Sequence, residues 1–138
     1  MAVLFFFSYS QMINAESRTI KKSITIMINR SAVIIRYNQP FVDWINAVDS
    51  SPENPLTLAE GNRESTVYLI DVEDQDEFEG WLELNYKILF EEELDGWYTD
   101  PALWPQDRSL RIFKEWCSFE FHSAVFDTGA APILDDEI

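Results

Sequence analysis

Apolar side chains along this chain fall into short runs with the period of strands and longer stripes with the period of helices. Residues 31–37 (SAVIIRY) and 65–70 (STVYLI) are rich in β-branched and aromatic residues and predict two strands. Residues 117–126 (CSFEFHSAVF) alternate apolar and polar side chains, which predicts a third strand with one buried face.

Between these strands, three segments have apolar residues at the spacing of an amphipathic helix. Residues 39–48 (QPFVDWINAV) predict the first helix, with Pro40 suited to its first turn. Residues 76–94 predict the longest helix, and Gly96 stands where a left-handed C-cap is expected to end it. Residues 109–116 (SLRIFKEW) predict the last helix. The apolar stripe of the longest helix comprises Phe78, Trp81, Leu82, Tyr86 and Leu89.

Strands and helices are mixed in this order without a regular βα repeat, which favours an α+β fold over a doubly wound sheet. We predict a single-domain sheet of three or more strands packed against two or three helices, formed by residues 27–128. Residues 1–26 are predicted to be a disordered extension or a mis-assigned start, because the better-patterned sequence begins at Met27. Residues 129–138 are predicted to form an acidic tail.

The N-terminal apolar run, residues 2–7, is too short to span a bilayer and lacks the basic region of a secretory signal. We therefore expect a cytoplasmic protein that does not bind membranes.

The chain is strongly acidic, with 25 Asp and Glu against 10 Lys and Arg in 138 residues and a formal net charge of −15. Residues 37–138 hold 24 of these acids and five of the bases, a net charge of −19. This charge argues against direct nucleic-acid binding and a polybasic lipid anchor. A hydrophobic fraction of 46% and an aromatic fraction of 14% indicate a folded domain, since acidic disordered chains are poor in aromatic residues.

A resemblance to known proteins is carried by residues 96–127 (GWYTDPALWPQDRSLRIFKEWCSFEFHSAVFD), 31–49 (SAVIIRYNQPFVDWINAVD) and the STVYLI segment. From about Met27 to Asp127 the chain resembles a group of small acidic bacterial proteins that are uncharacterised. The resemblance implies a small folded cytosolic protein. It implies no known function, and no catalytic residue is carried over from it.

Catalytic and metal-binding motifs are absent from the sequence, so we predict a protein that is not an enzyme and has no cofactor or metal. Residues 71–77 resemble a calcium loop only in charge, because the sixth loop position, which requires glycine, is Asp76. Cys117 and His122 are five residues apart on one strand and are expected to point to opposite faces, which argues against a thiolate–imidazole dyad. Glu120 and His122 share a face, and we interpret them as a polar pair on the protein surface.

Negative charge is concentrated at the C-terminal end of the longest helix, where it is unfavourable. Three consecutive glutamates, residues 91–93, lie where the helix dipole disfavours negative charge by roughly 0.3–1 kcal/mol each. An aromatic loop follows, and exposed Trp and Tyr side chains are common anchors of protein interfaces. The alternative is that these rings fold back as a lid over the core. The predicted partner-binding residues are Glu91, Glu92, Glu93, Asp95, Trp97, Tyr98, Asp100 and Trp104.

These observations favour a non-catalytic interaction module that binds a basic protein partner. Two alternatives remain open at this stage. The first is an acidic mimic of nucleic acid, of the inhibitor or immunity type, that occupies the basic groove of a DNA-acting enzyme or toxin. The second is a small enzyme that uses carboxylates and a divalent cation. Its candidate ligands are Asp71, Glu73, Asp74 and Asp76. The sequence does not indicate the oligomeric state.

Overall fold

The computed structural model describes residues 26–49 and 53–136, which form an α+β fold. The strands are β1 (Ile26–Met27), β2 (Ser31–Tyr37), β3 (Thr66–Ile70), β4 (Cys117–His122) and β5 (Phe126–Asp127). The helices are α1 (Gln39–Val48), α2 (Leu58–Gly61), α3 (Gln75–Asp95) and α4 (Leu110–Trp116), with a 3₁₀ turn at Pro101–Leu103. The predicted fold class is confirmed. No helix in this part of the chain is both long and apolar enough to span a membrane.

The main sheet has three antiparallel strands in the order β3–β2–β4, with β2 in the centre. Because side chains alternate along a strand, Val33 and Ile35 of β2 face the helices and are fully buried. Ala32, Ile34 and Arg36 face the other side of the sheet. A second, two-stranded ladder joins β1 to β5 beyond the end of the main sheet.

The core between the sheet and the helices is aromatic. The rings of Phe90 on α3 and Phe113 on α4 stack with their centroids 4.7 Å apart, and both side chains are inaccessible to solvent. Phe41 on α1 stacks on Tyr37 at the end of β2, at 3.9 Å. Burying rings of this size gives a short helix such as α4 most of its stability, because seven residues are too few for a helix that stands alone.

Strand β2 and helix α1 have the predicted boundaries, and the other predicted helices and strands differ from the structure only at their ends. The predicted left-handed C-cap at Gly96 is wrong, because Gly96 has φ −60° and ψ −24° in the right-handed helical region. Helix α3 ends instead with the N–H groups of Trp97 and Tyr98 both donating to the Leu94 carbonyl. The strand predicted over residues 117–126 stops at His122, and the chain pairs again only in β5.

The structure describes only some of the residues in the two predicted end segments of the chain. The proposed extension, residues 1–26, lies outside the described residues except for Ile26, which pairs with Asp127 in the small ladder. Residues 129–136 of the acidic tail contain no helix or strand.

Candidate functional site

The three glutamates near the end of α3 have different environments, because successive residues on a helix point about 100° apart. Glu92 is exposed and Glu91 is half-buried. Glu93 points into the molecule and is 4% exposed. The predicted acidic surface is therefore divided between an outer part and a carboxylate inside the core.

Two tyrosines hold the buried carboxylate of Glu93. The hydroxyl of Tyr37 donates to Glu93 Oε1 at 2.8 Å, and the hydroxyl of Tyr68 donates to Oε2 at 2.5 Å. The indole Nε1 of Trp97 donates in turn to the Tyr37 oxygen at 2.9 Å. None of the ion pairs among the described residues involves Glu93, so neutral donors satisfy both of its oxygens. We call these four residues the Glu93 network.

The Glu93 network makes its neighbours difficult to ionise. Burial, followed by the charge of Glu93, raises the pKa of Tyr37 and of Tyr68 well above the ordinary value of 10.0. The same two causes, in the same order, raise the pKa of the Cys117 thiol. Since the thiolate is the reactive form of cysteine, Cys117 is a structural residue of the core.

Alkaline titration is expected to detect the two tyrosines of the Glu93 network. A tyrosine pKa that is higher in the folded state stabilises the fold fully below about pH 10, and this stabilisation is lost as the pH rises further. We expect part of the tyrosinate absorbance to appear in a late phase, with Tyr37 and Tyr68 ionising only as circular dichroism reports unfolding. Tyr37→Phe and Tyr68→Phe should each remove part of the late phase. Complete ionisation near pH 10 with the fold intact would contradict the geometry.

The aromatic loop after α3 is a lid over the core, which decides between the two interpretations of its rings. Trp104 Nε1 donates to the Tyr98 carbonyl at 2.7 Å, and the Tyr98 hydroxyl donates to the Ile45 carbonyl on α1 at 2.9 Å. Trp44, also on α1, donates from Nε1 to the Leu103 carbonyl at 2.9 Å. The last two of these bonds fasten the loop to α1, and the first joins two residues of the loop to each other. The Trp104 indole and the Tyr98 hydroxyl, which interface anchors would offer to a partner, are therefore used within the molecule.

Arg108 fastens the same loop to α3. Its guanidinium carbon lies 5.7 Å from the centroid of the Trp104 ring, and Nη1 donates to the Pro105 carbonyl at 2.8 Å. Its Nε lies 3.7 Å from Glu91 Oε1. The Glu91 carboxylate therefore already has an ion-pair partner within the molecule. Asp100, another predicted site residue, accepts a hydrogen bond from Ala102 N at 3.0 Å and caps the 3₁₀ turn.

The exposed side of α3 has an apolar pair that is not among the site residues predicted from the sequence. Leu84 is 86% exposed and Ile88 is 65% exposed. Glu92 and Asp95 continue the same line at i+8 and i+11 from Leu84, so the four side chains form one stripe. We call this stripe the α3 outer face. The signal was present in the sequence, since two large apolar residues one turn apart lie opposite the stripe that faces the core.

Asp74, one of the candidate cation ligands, has a structural role. Asp74 caps the N-terminus of α3 by accepting a hydrogen bond from Glu77 N at 3.2 Å, and acids are favourable in that first turn. The described residues include no group of three or more His, Cys, Asp or Glu that could hold a metal ion. Glu120 and His122 form an exposed pair at 2.9 Å, and Cys117 lies on the opposite face of β4.

Comparisons of the chain with models of protein families, with curated proteins and with solved structures found no match.

Proposed function

We propose that this protein is a non-catalytic interaction module whose α3 outer face binds a basic partner protein. The observation that carries the proposal is the exposure of Leu84 and Ile88 in the middle of a well-packed helix. The solvent side of a surface helix is normally polar, and two neighbouring exposed apolar residues have the i, i+4 spacing that helices use to enter a groove.

The carboxylates beside the apolar pair indicate the charge of the partner. Glu92 and Asp95 lie next to the apolar pair, and neither forms an ion pair with another described residue. Carboxylates at the rim of an interface mainly accelerate association with a positively charged partner, whereas buried apolar groups supply affinity. The matching surface is an apolar groove bordered by Lys or Arg.

The proposed surface is still the acidic end of α3 predicted from the sequence, but its apolar anchors are not the aromatic residues of the loop. Trp97, Tyr98 and Trp104 contribute by holding the lid, and the lid keeps the end of α3 in place. The apolar anchors on this surface are the side chains of Leu84 and Ile88.

Affinity capture from native cell extract tests the proposal. We expect Leu84→Gln combined with Ile88→Gln to reduce partner capture about tenfold or more, because both anchors are lost. Glu92→Gln combined with Asp95→Asn should slow capture and reduce its dependence on salt. Ile133→Gln combined with Leu134→Gln is the control, since it removes two similarly exposed apolar residues that follow β5 in the chain. Capture that is unaffected by the first pair would show that α3 is not the binding surface.

A further inference from the structure

The two edges of the main sheet differ in charge. Strand β4 forms one edge and has Glu120 and His122 on its outer face, with Arg36 of β2 at 3.7 Å from Glu120. Charges at such positions prevent another chain from pairing with an edge strand. Strand β3 forms the other edge and consists of Thr-Val-Tyr-Leu-Ile, without a charge or a proline. No other described strand pairs with its outer side.

The outer face beside the β3 edge is apolar. Val67 is 54% exposed and Leu69 is 48% exposed. Across the ladder they pair with Ile34 and Ala32 of the central strand, so apolar side chains continue from the edge into the sheet. An added strand would therefore gain backbone hydrogen bonds at the edge and apolar contacts on this face.

Strand β3 is also held rigidly, which lowers the entropy lost when another chain binds. Tyr68 is fixed through its hydroxyl to Glu93, and Ile70 is buried in the core. Next to Ile70 in the ladder, Ser31 of β2 donates to the Val72 carbonyl just beyond the end of β3.

Acidic residues lie at both ends of the edge. Glu64 precedes β3, while Asp71 and Glu73 follow it, and all three are exposed. Two bases lie near these acids: Arg63 precedes Glu64, and Arg30 adjoins Ser31, the residue that pairs with Ile70, so acids remain in excess. A second copy of this chain would bring the same acids together, so the charge favours a different protein with basic residues at the ends of its strand.

We propose that the β3 edge is a strand-addition site for an extended segment of a partner protein, with apolar residues at alternate positions and basic residues at both ends. The site is separate from the α3 outer face and does not depend on the proposed function.

The test uses the full chain and a synthetic peptide, Lys-Lys-Val-Thr-Val-Thr-Val-Lys-Lys. We expect saturable binding and slower hydrogen exchange of the amides in β3. The same peptide with N-methyl groups on residues 3–7 keeps its charge but cannot donate backbone hydrogen bonds from either edge of this segment, and it should bind about tenfold more weakly or worse. Leu69→Glu should weaken binding by a similar factor although it adds an attractive charge. Ile88→Glu, with the same change of charge on α3, should leave binding intact.

Several outcomes would overturn the proposal. Equal binding of both peptides would mean attraction by charge alone, and absence of saturable binding would mean that the edge is not a site. A dimer of the free chain that Leu69→Glu dissociates would identify a second copy as the occupant. A monomer whose β3 amides are already protected on the outer side would identify residues 1–25 of this chain. Loss of peptide binding in Leu84→Gln with Ile88→Gln would place the peptide on the α3 outer face instead of the β3 edge.

Discussion

Replacing Glu93 with alanine is expected to reduce the free energy of unfolding by about 3–4 kcal/mol, a large part of the roughly 5–15 kcal/mol that stabilises a typical domain. The substitution removes a side chain that is 4% exposed and leaves a void beneath the sheet. It also deprives the hydroxyls of Tyr37 and Tyr68 of their acceptors, and a half-buried donor without a partner loses its hydration without compensation.

Glu93→Gln is the matched control, because it keeps the shape and changes the charge. The amide oxygen can still accept from Tyr37, which already receives the indole N–H of Trp97. The amide nitrogen can donate to Tyr68 if that hydroxyl rotates. The glutamine loses the charge-assisted hydrogen bonds, which lowers stability, but it also removes the cost of burying a charge, which raises stability. Because these effects oppose each other, we expect the free energy of unfolding to change by less than about 1 kcal/mol.

Urea denaturation of the parent and both variants measures these differences. The expected order of stability places alanine far below both glutamine and the parent, with similar denaturant slopes in all three. An alanine variant as stable as the parent would mean that the carboxylate does not hold the two phenols together. A glutamine variant as unstable as alanine would mean that the negative charge itself is required.

The sequence predicts the fold well where local pattern and tertiary environment agree. Strand β2 and helix α1 have the predicted boundaries because their apolar periods match the faces that they bury. The stripe predicted on α3 ended at Leu89, whereas the helix also buries Phe90 and Leu94 where it passes α4. That extension depends on which element lies alongside, and the sequence of one helix does not contain this information.

Glu93 could not be assigned to the interior from its sequence position. It lies between two other glutamates, and the partners that satisfy it are distant in the chain, with Tyr37 on β2 and Tyr68 on β3. Burial of a carboxylate becomes possible only when the fold brings such donors to it. The partner-binding residues predicted from the sequence therefore included one that faces the core.

Some of the acidic residues have local structural roles. Asp74 and Asp100 cap helical turns, and Glu60 completes a capping box with Thr57 at the start of α2. Such acids accept orphan backbone N–H groups, so they stabilise short elements that have small cores. Glu92 and Asp95 have no such role in the structure, and this is why we include them in the proposed interface.

Replacing both Trp97 and Trp104 with alanine is expected to reduce the free energy of unfolding by about 4–6 kcal/mol. Both rings pack against the hydrophobic core, and each indole N–H has a partner inside the molecule. Loss of Trp104 also removes the ring beneath Arg108, the residue that links the loop to Glu91 of α3. The two effects need not be additive, because both residues belong to one lid.

Thermal and urea unfolding of this double variant, compared with Leu84→Gln combined with Ile88→Gln, separates the lid from the α3 outer face. The second pair changes exposed side chains and should shift the free energy of unfolding by less than about 1 kcal/mol. Any partner binding lost in the tryptophan variant would then follow from unfolding, whereas binding lost in the α3 variant would occur in a folded protein. A stable, folded tryptophan variant would contradict the lid and return Trp97 and Trp104 to the candidate interface.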